Sequence, residues 1–109
     1  MVAAVAGLLV TTSAAQDAKV LAIRLQDGKA AGKAPTLQAR LGEQLVLRWE
    51  SDRAIALHLH GYDIERQVPA AVATDMAVKA MVAGRFPITE HAHGKAHHHR
   101  PVAYLEVHP

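Results

Sequence analysis

Two segments of this chain alternate apolar and polar residues, and this alternation constrains the fold more than any other feature. In Glu43–Glu50, the apolar residues Leu45, Leu47 and Trp49 stand two apart. In Ala54–Tyr62, apolar residues again recur at every second position. Because successive side chains of a strand point to opposite faces of a sheet, each segment predicts a strand with one buried face.

Other short segments rich in branched apolar residues follow at intervals of roughly 8–12 residues. They predict further strands at Lys19–Leu25, Thr36–Arg40, Gly84–Thr89 and Val102–Val107. The segments rich in Gly, Pro or polar residues predict loops, at Gly28–Pro35 and Ala92–Arg100. Several short strands at this spacing predict an all-β fold, a Greek-key sandwich or barrel.

Ala70–Ala83 is open to two interpretations. Its six alanines favour a helix on propensity. Its periodicity favours a strand, because several apolar residues share one parity. These residues are Val72, Met76, Val78 and Val82. We predict a strand here.

The absence of cysteine excludes several classes of protein. A disulfide scaffold, a thiolate metal site and an iron–sulfur cluster all need cysteine, as does a blue-copper centre of the usual kind. The net charge of +2 is too small to indicate nucleic-acid binding. The sequence also lacks a nucleophile–base–orienter set and a Gly-rich phosphate loop, so we predict no enzymatic activity; an open metal site would be its one enzymatic feature.

The start of the chain resembles a secretory signal peptide. An almost wholly apolar run precedes Ser13 and Ala15, two small residues spaced as at a cleavage site before Gln16. The run is shorter than the about 20 residues of a transmembrane helix, and no Lys or Arg precedes it. A buried first strand or helix is the alternative. We predict a signal peptide over 1–15, one domain over 16–109, a periplasmic or secreted location, and no membrane span after cleavage.

Seven of the eight histidines fall in two clusters. His58 and His60 stand two apart, so on a strand they share a face opposite to Leu57 and Leu59. The second cluster, 90–99, holds five histidines in ten residues. Because neutral imidazole suits Cu, Zn and Ni, the two clusters together predict a metal site. The alternative is a loop that binds metal ions weakly and without selection.

These residues resemble the cupredoxin superfamily. The His-Leu-His-Gly of residues 58–61 looks like the His-x-His-Gly copper motifs of multicopper oxidases. The segment from Gly84 to the C-terminus is similar to the last two strands and the ligand loop of a cupredoxin. The chain after residue 15 also resembles small secreted cupredoxin-like proteins that end in Tyr-Leu-Glu-Val, here residues 104–107. The resemblance implies a cupredoxin-like β-sandwich that binds copper.

Two registers of the ligand loop are compatible with the resemblance. Counting from Phe86 places Glu90 where the cupredoxin cysteine stands, and a histidine late in the loop then takes the role of the loop ligand. Counting by the oxidase pattern His-Cys-His-x3-His matches His91, His93 and His97, with alanine in place of cysteine. In both registers the thiolate is absent, and no methionine follows the loop. The resemblance therefore implies a harder site, which favours Cu(II), with Zn(II) as an alternative, over Cu(I).

The ligands implied by the resemblance come from both clusters. They are His60, His91 and His99, with His58, His93 and Glu90 as alternates. Asp63 could accept a hydrogen bond that orients one imidazole. Copper affinity should fall below about pH 6, because protons compete for imidazole nitrogen.

Two functional hypotheses follow. The leading hypothesis is a secreted or periplasmic protein that buffers, sequesters or delivers Cu(II); its partners would be the metal ion and, for delivery, a periplasmic protein. The alternative is a cupredoxin-like interaction module of a metal-uptake system, with no dedicated metal site.

Overall fold

Nine strands and no helix form within residues 18–91 and 100–109, which are the residues that the computed structural model describes. In chain order they are β1 (Lys19–Gln26), β2 (Lys29–Ala30), β3 (Thr36–Arg40), β4 (Gln44–Ser51), β5 (Ile55–Leu59), β6 (Ile64–Val68), β7 (Thr74–Lys79), β8 (Gly84–Glu90) and β9 (Pro101–His108). One sheet has the order β2-β1-β4-β7 and the other the order β3-β9-β8-β5-β6. The pairs β1/β4 and β3/β9 are parallel, and the other pairs are antiparallel.

The core consists of the apolar faces of these strands. Leu45, Leu47 and Trp49 of β4 are buried, as are the residues of β5 that share the parity of Leu57 and Leu59. The alternation in both segments therefore predicts the buried faces correctly. The two mixed sheets confirm the all-β sandwich that the spacing of the strands predicts.

The strand interpretation of Ala70–Ala83 is confirmed, but the strand is shorter than the pattern. Met76 and Val78 are buried within β7, whereas Val72 and Val82 are half exposed. The pairing explains the difference, because β7 pairs with β4 only between the Trp49–Thr74 and Gln44–Lys79 partners. Val72 and Val82 both lie outside that register.

Two strands were not predicted. The predicted loop Gly28–Pro35 is wrong at its start, because Lys29–Ala30 pairs with the end of β1. The connecting residues Asp27 and Gly28 both have positive φ, 51° and 73°, as the tight turn of a hairpin requires. The other strand, β6, carries mostly exposed polar residues, so no apolar alternation marks it in the sequence.

Two of the predictions fall on residues that the structure does not describe. The signal peptide over 1–15 lies outside the described residues, and so does the loop from residue 92 to residue 99. Within the described part of the chain, no helix has the length and apolar character needed to cross a membrane.

Candidate metal centre

The strand β5 and the turn after it present two imidazole rings on the outer face of their sheet. Leu57 and Leu59 point into the core and are fully buried, so His58 and His60 point to the opposite face. The centroids of the two rings lie 4.2 Å apart, and their planes are inclined by 46°. The structure thus brings the two histidines of the first cluster together as the His-x-His spacing predicts.

Thr89 of β8 lies beside this pair and was missed by sequence reasoning. It is the strand partner of His58, and its Oγ1 lies 2.8 Å from Nε2 of His60. Its side chain is buried, at 5% exposure. A threonine is not a metal-ligand type, so only the register between β5 and β8 reveals that it fixes the orientation of an imidazole ring.

Asp63 lies on the other side of the pair. Its Oδ1 is 3.6 Å from Nε2 of His58. Its φ of 56° places it in a left-handed conformation that aspartate tolerates in turns. This separation is longer than a hydrogen bond, so the predicted role of Asp63 as an acceptor for an imidazole stays a prediction.

The turn that follows His60 is held by aromatic packing. The rings of Tyr62 and Phe86 meet edge to face, with centroids 4.9 Å apart. The hydroxyl of Tyr62 donates to the carbonyl oxygen of Val82 at 2.7 Å. The backbone N–H of His60 donates to the carbonyl oxygen of Pro87 at 3.0 Å. These contacts fix where the His60 side chain leaves the sheet.

His91 continues the same face one residue beyond β8. Its backbone N–H donates to the carbonyl oxygen of Ala56 at 2.7 Å, so the ladder between β5 and β8 extends to this residue. Its Nδ1 lies 3.7 Å from Oε1 of Glu65, the β6 partner of His58. Glu65 is a second residue that the sequence did not single out, because β6 itself was not predicted.

Glu90 lies on the opposite face. It is the strand partner of Leu57, whose side chain is fully buried in the core. Both of its carboxylate oxygens accept hydrogen bonds from the Arg53 guanidinium, at 2.9 and 3.1 Å. These hydrogen bonds to Glu90 hold the pKa of Arg53 above its usual range. Strand alternation therefore places Glu90 on the face opposite to His58, although Glu90 and His91 line one surface pocket.

The two faces differ in how well they fit a metal ion. The carboxylate of Glu90 is already bound by the Arg53 guanidinium, and the strand partner of Glu90 is a leucine. These residues therefore do not fit a metal ion. On the outer face, the paired imidazoles of His58 and His60 supply two nitrogen donors of the kind that Cu(II) and Zn(II) prefer.

A complete donor set is not found in the described part of the chain. Among residues 18–91 and 100–109, no three His, Asp or Glu side chains converge on one point. His93 and His99 lie outside the described residues. The predicted set of His60, His91, His99, His58, His93 and Glu90 therefore stays a prediction.

Three solved structures have a similar fold. A multicopper oxidase from Pseudomonas thermotolerans has a TM-score of 0.60 at 21% identity, over 84% of this chain and 30% of its own. A copper-binding protein in the apo form has a TM-score of 0.58 at 12% identity, over 84% of this chain and 91% of its own. A mutant of amicyanin has a TM-score of 0.52 at 14% identity, over 83% of this chain and 81% of its own.

The fold is cupredoxin-like. This confirms the fold that the sequence resemblance implies. The cupredoxin-like chain covers only 26–65% of the length of the oxidases that come first among its structural neighbours. No protein-family model matches the sequence, and no curated protein matches it either.

Proposed function

We propose that this chain is a secreted or periplasmic protein that binds Cu(II) and buffers, sequesters or delivers it. The observation that carries the proposal is the pair of imidazole rings at 4.2 Å on the outer face of a cupredoxin-like sandwich. The location rests on the signal peptide predicted over 1–15. The proposal is of binding rather than catalysis, because what the outer face offers is a set of metal-ligand side chains.

The chemistry of the donors supports Cu(II), with Zn(II) second. His58 and His60 provide nitrogen donors from one strand, and His91 lies on the same sheet face. Imidazole and carboxylate donors favour divalent over monovalent copper. We propose that His93 and His99, from the loop after His91, complete the set. Thr89 would hold the His60 imidazole in position, as hydrogen-bonding neighbours of metal ligands do, and Asp63 lies next to His58.

A Cu(II) titration of the full chain, purified without a histidine tag, tests the proposal. We expect one ion per chain and an electron paramagnetic resonance spectrum with nitrogen coupling. His58→Ala and His60→Ala should each lower affinity by at least about 10-fold, because even the hydrogen-bonding neighbours of metal ligands affect affinity that much. His108→Ala is the matched control, since His108 lies on β9 beside Gln38 and Glu106. Its affinity should equal that of the wild type.

Two results would contradict the proposal. One is the binding of several weak ions per chain with no discrete spectrum, which would mean that the histidine loop binds metals without selection. The other is equal affinity in the wild type, His58→Ala and His60→Ala, which would remove the strand pair from the site.

The interaction module remains the second candidate. The observation in its favour is that no three metal-binding side chains converge within residues 18–91 and 100–109. It predicts a protein whose melting temperature does not change when Cu(II) is added, and which binds a protein of a metal-uptake system equally well with or without the metal.

A further inference from the structure

The Arg53–Glu90 pair occupies the position where the cupredoxin resemblance would place a metal ligand. Glu90 stands at the cysteine position in the register counted from Phe86. Both of its oxygens accept hydrogen bonds from Arg53, from Nη1 at 2.9 Å and from Nη2 at 3.1 Å. This two-point geometry is the strong form of a carboxylate–guanidinium contact.

The same guanidinium reaches a third segment of the chain. Its Nε lies 3.8 Å from Oδ1 of Asp27, in the turn between β1 and β2. The backbone N–H of Asp27 donates to both carboxylate oxygens of Asp52, at 2.9 and 3.1 Å. Arg53 lies in the connection between β4 and β5. Its side chain thus links this connection to the β1–β2 turn and to the end of β8.

Gly28 shows how closely this turn packs on the pair. A Cβ at Gly28 would lie 2.4 Å from Nη2 of Arg53 and 2.9 Å from Oε2 of Glu90. Only a residue without a side chain fits there while the pair stays intact. Gly32, in the segment after β2, has nearly the same φ, 75° against 73°, and no atom of residues 18–91 or 100–109 lies within 4 Å of the point that a Cβ would occupy there.

We infer that the Arg53 guanidinium takes the place of a metal ion at this end of the sandwich, as a fixed organic cation that joins three segments. Guanidinium is charged at every physiological pH, so the link needs no metal. A metal ion approaching Glu90 would have to break two hydrogen bonds and approach a like charge. Glu90 is therefore a structural anion, and any copper site lies on the other face. This inference goes beyond the proposed function, because it holds whether or not the chain binds copper.

A double-mutant cycle in EDTA-treated full-length protein tests the link. Arg53→Ala should lower the melting temperature by about 3–6 °C, as expected for a well-formed but partly exposed pair. The melting temperature of the double variant, Arg53→Ala with Glu90→Gln, should fall by less than the sum of the falls in the two single variants. Arg53→Lys, which keeps the charge but not the fork of donors, gives a second reading if Arg53→Ala does not fold. Additive losses in the metal-free protein would overturn the inference.

The two glycines give a sharper comparison. Gly28→Ala and Gly32→Ala share the backbone strain of a positive φ, but only Gly28→Ala should displace the guanidinium. We expect Gly28→Ala to lower the melting temperature more than Gly32→Ala, by no more than the loss that Arg53→Ala causes by itself, because the guanidinium is the far end of a flexible side chain and can move away. In an Arg53→Ala background that excess should shrink to what the contact with Oε2 of Glu90 contributes. An undiminished excess in this background would overturn the inference.

Copper binding separates this inference from the proposed function. Glu90→Gln should leave the Cu(II) stoichiometry and the paramagnetic spectrum unchanged. A changed spectrum would make Glu90 a ligand and overturn the inference while supporting copper binding. If neither the wild type nor any variant binds copper, the proposed function fails. The double-mutant cycle then still decides the role of Arg53.

Discussion

Gly61 determines the path of the chain directly after the paired histidines. Its φ is 84°, in the region that favours glycine. A Cβ there would lie 2.4 Å from Cδ1 and 2.7 Å from Cε1 of Phe86. That ring is packed against the edge of Tyr62, so it has little room to move. Gly61 therefore matters both for backbone conformation and for close packing beside the face that carries His58 and His60.

Gly61→Ala should lower the free energy of unfolding more than Gly42→Ala does. Gly42→Ala is the matched control. Gly42 has a φ of 93°, and no atom in the described part of the chain lies within 4 Å of the position of a Cβ. Gly42→Ala should lower the free energy of unfolding by about 1–2 kcal/mol, which is the cost of a left-handed conformation for alanine. Gly61→Ala should cost about 1–3 kcal/mol more, because the aromatic ring must shift. Urea unfolding measures both, and equal losses would show that Phe86 yields without cost.

At the scale of single residues, the sequence predicted the candidate ligands and their neighbour Asp63, but not Thr89 or Glu65. The spacing of His58 and His60 was enough to predict a shared face, since strand periodicity is local. Thr89 and Glu65 could not be found, because each reaches the histidines through pairing between strands distant in sequence.

At the scale of the strands, β4 and β7 are joined on their outer face by an arginine–aspartate pair. Nε of Arg48 donates to Oδ1 of Asp75 at 2.8 Å, and Nη2 donates to Oδ2 at 3.2 Å. These hydrogen bonds, together with the charge of Arg48, lower the pKa of Asp75 below its ordinary value of 3.8. Arg66 of β6 donates to the backbone carbonyl of Asp75, at 3.0 Å, which connects β6 of the second sheet to β7.

Asp75→Asn should lower stability near neutral pH but not in strong acid. Because the pKa of Asp75 is lowered in the folded state, its contribution is complete above the pKa of the unfolded carboxyl. It is lost as the pH falls through the folded value. The difference in the free energy of unfolding between wild type and variant should be small at pH 7, since the pair is exposed. It should close as the pH falls through the lowered pKa of Asp75. Urea unfolding as a function of pH checks this; Glu50→Gln, which removes the looser 3.4 Å contact with Arg24, is the control. A gap that persists in acid would contradict the prediction.

The strands also show where local patterns lose their predictive value. β4 and β5 were predicted because one face of each is buried in the core. β6 was not, because three consecutive residues of this five-residue strand are exposed. The apolar parity of Ala70–Ala83 extends beyond β7, because the antiparallel ladder between β4 and β7 ends at the Trp49–Thr74 and Gln44–Lys79 partners.

At the scale of the whole molecule, the core is apolar and contains residues from both sheets. Buried residues include Leu25 of β1, Leu47 of β4, Leu57 of β5 and Leu105 of β9. Because burial of apolar surface is the dominant favourable term in folding, this core is the main source of stability. Copper binding should then add to the stability of a protein that is already folded.

A thermal melt at several Cu(II) concentrations tests this addition. At a free copper concentration of 100 times Kd, the free energy of unfolding should rise by about 2.7 kcal/mol. For a chain of this size the melting temperature should rise by about 10–20 °C. His60→Ala should reduce the rise. A constant melting temperature despite measured binding would show that folded and unfolded chains bind copper equally, as an unstructured histidine loop would.

The sequence by itself determined the all-β class, the buried faces of β4 and β5, and the shared face of His58 and His60. These features depend on the alternation of side chains along one strand, which is a local property. The short strand β2 and the polar strand β6 carry too little of that alternation to be predicted.

The tertiary structure decided which residues meet. It pairs Glu90 with Leu57, binds it to Arg53, and so places it on the face opposite to His58. It also brings Thr89 and Glu65 to the histidine face. The physical reason is that strand register and sheet order depend on pairing between distant segments, and no local periodicity specifies that pairing.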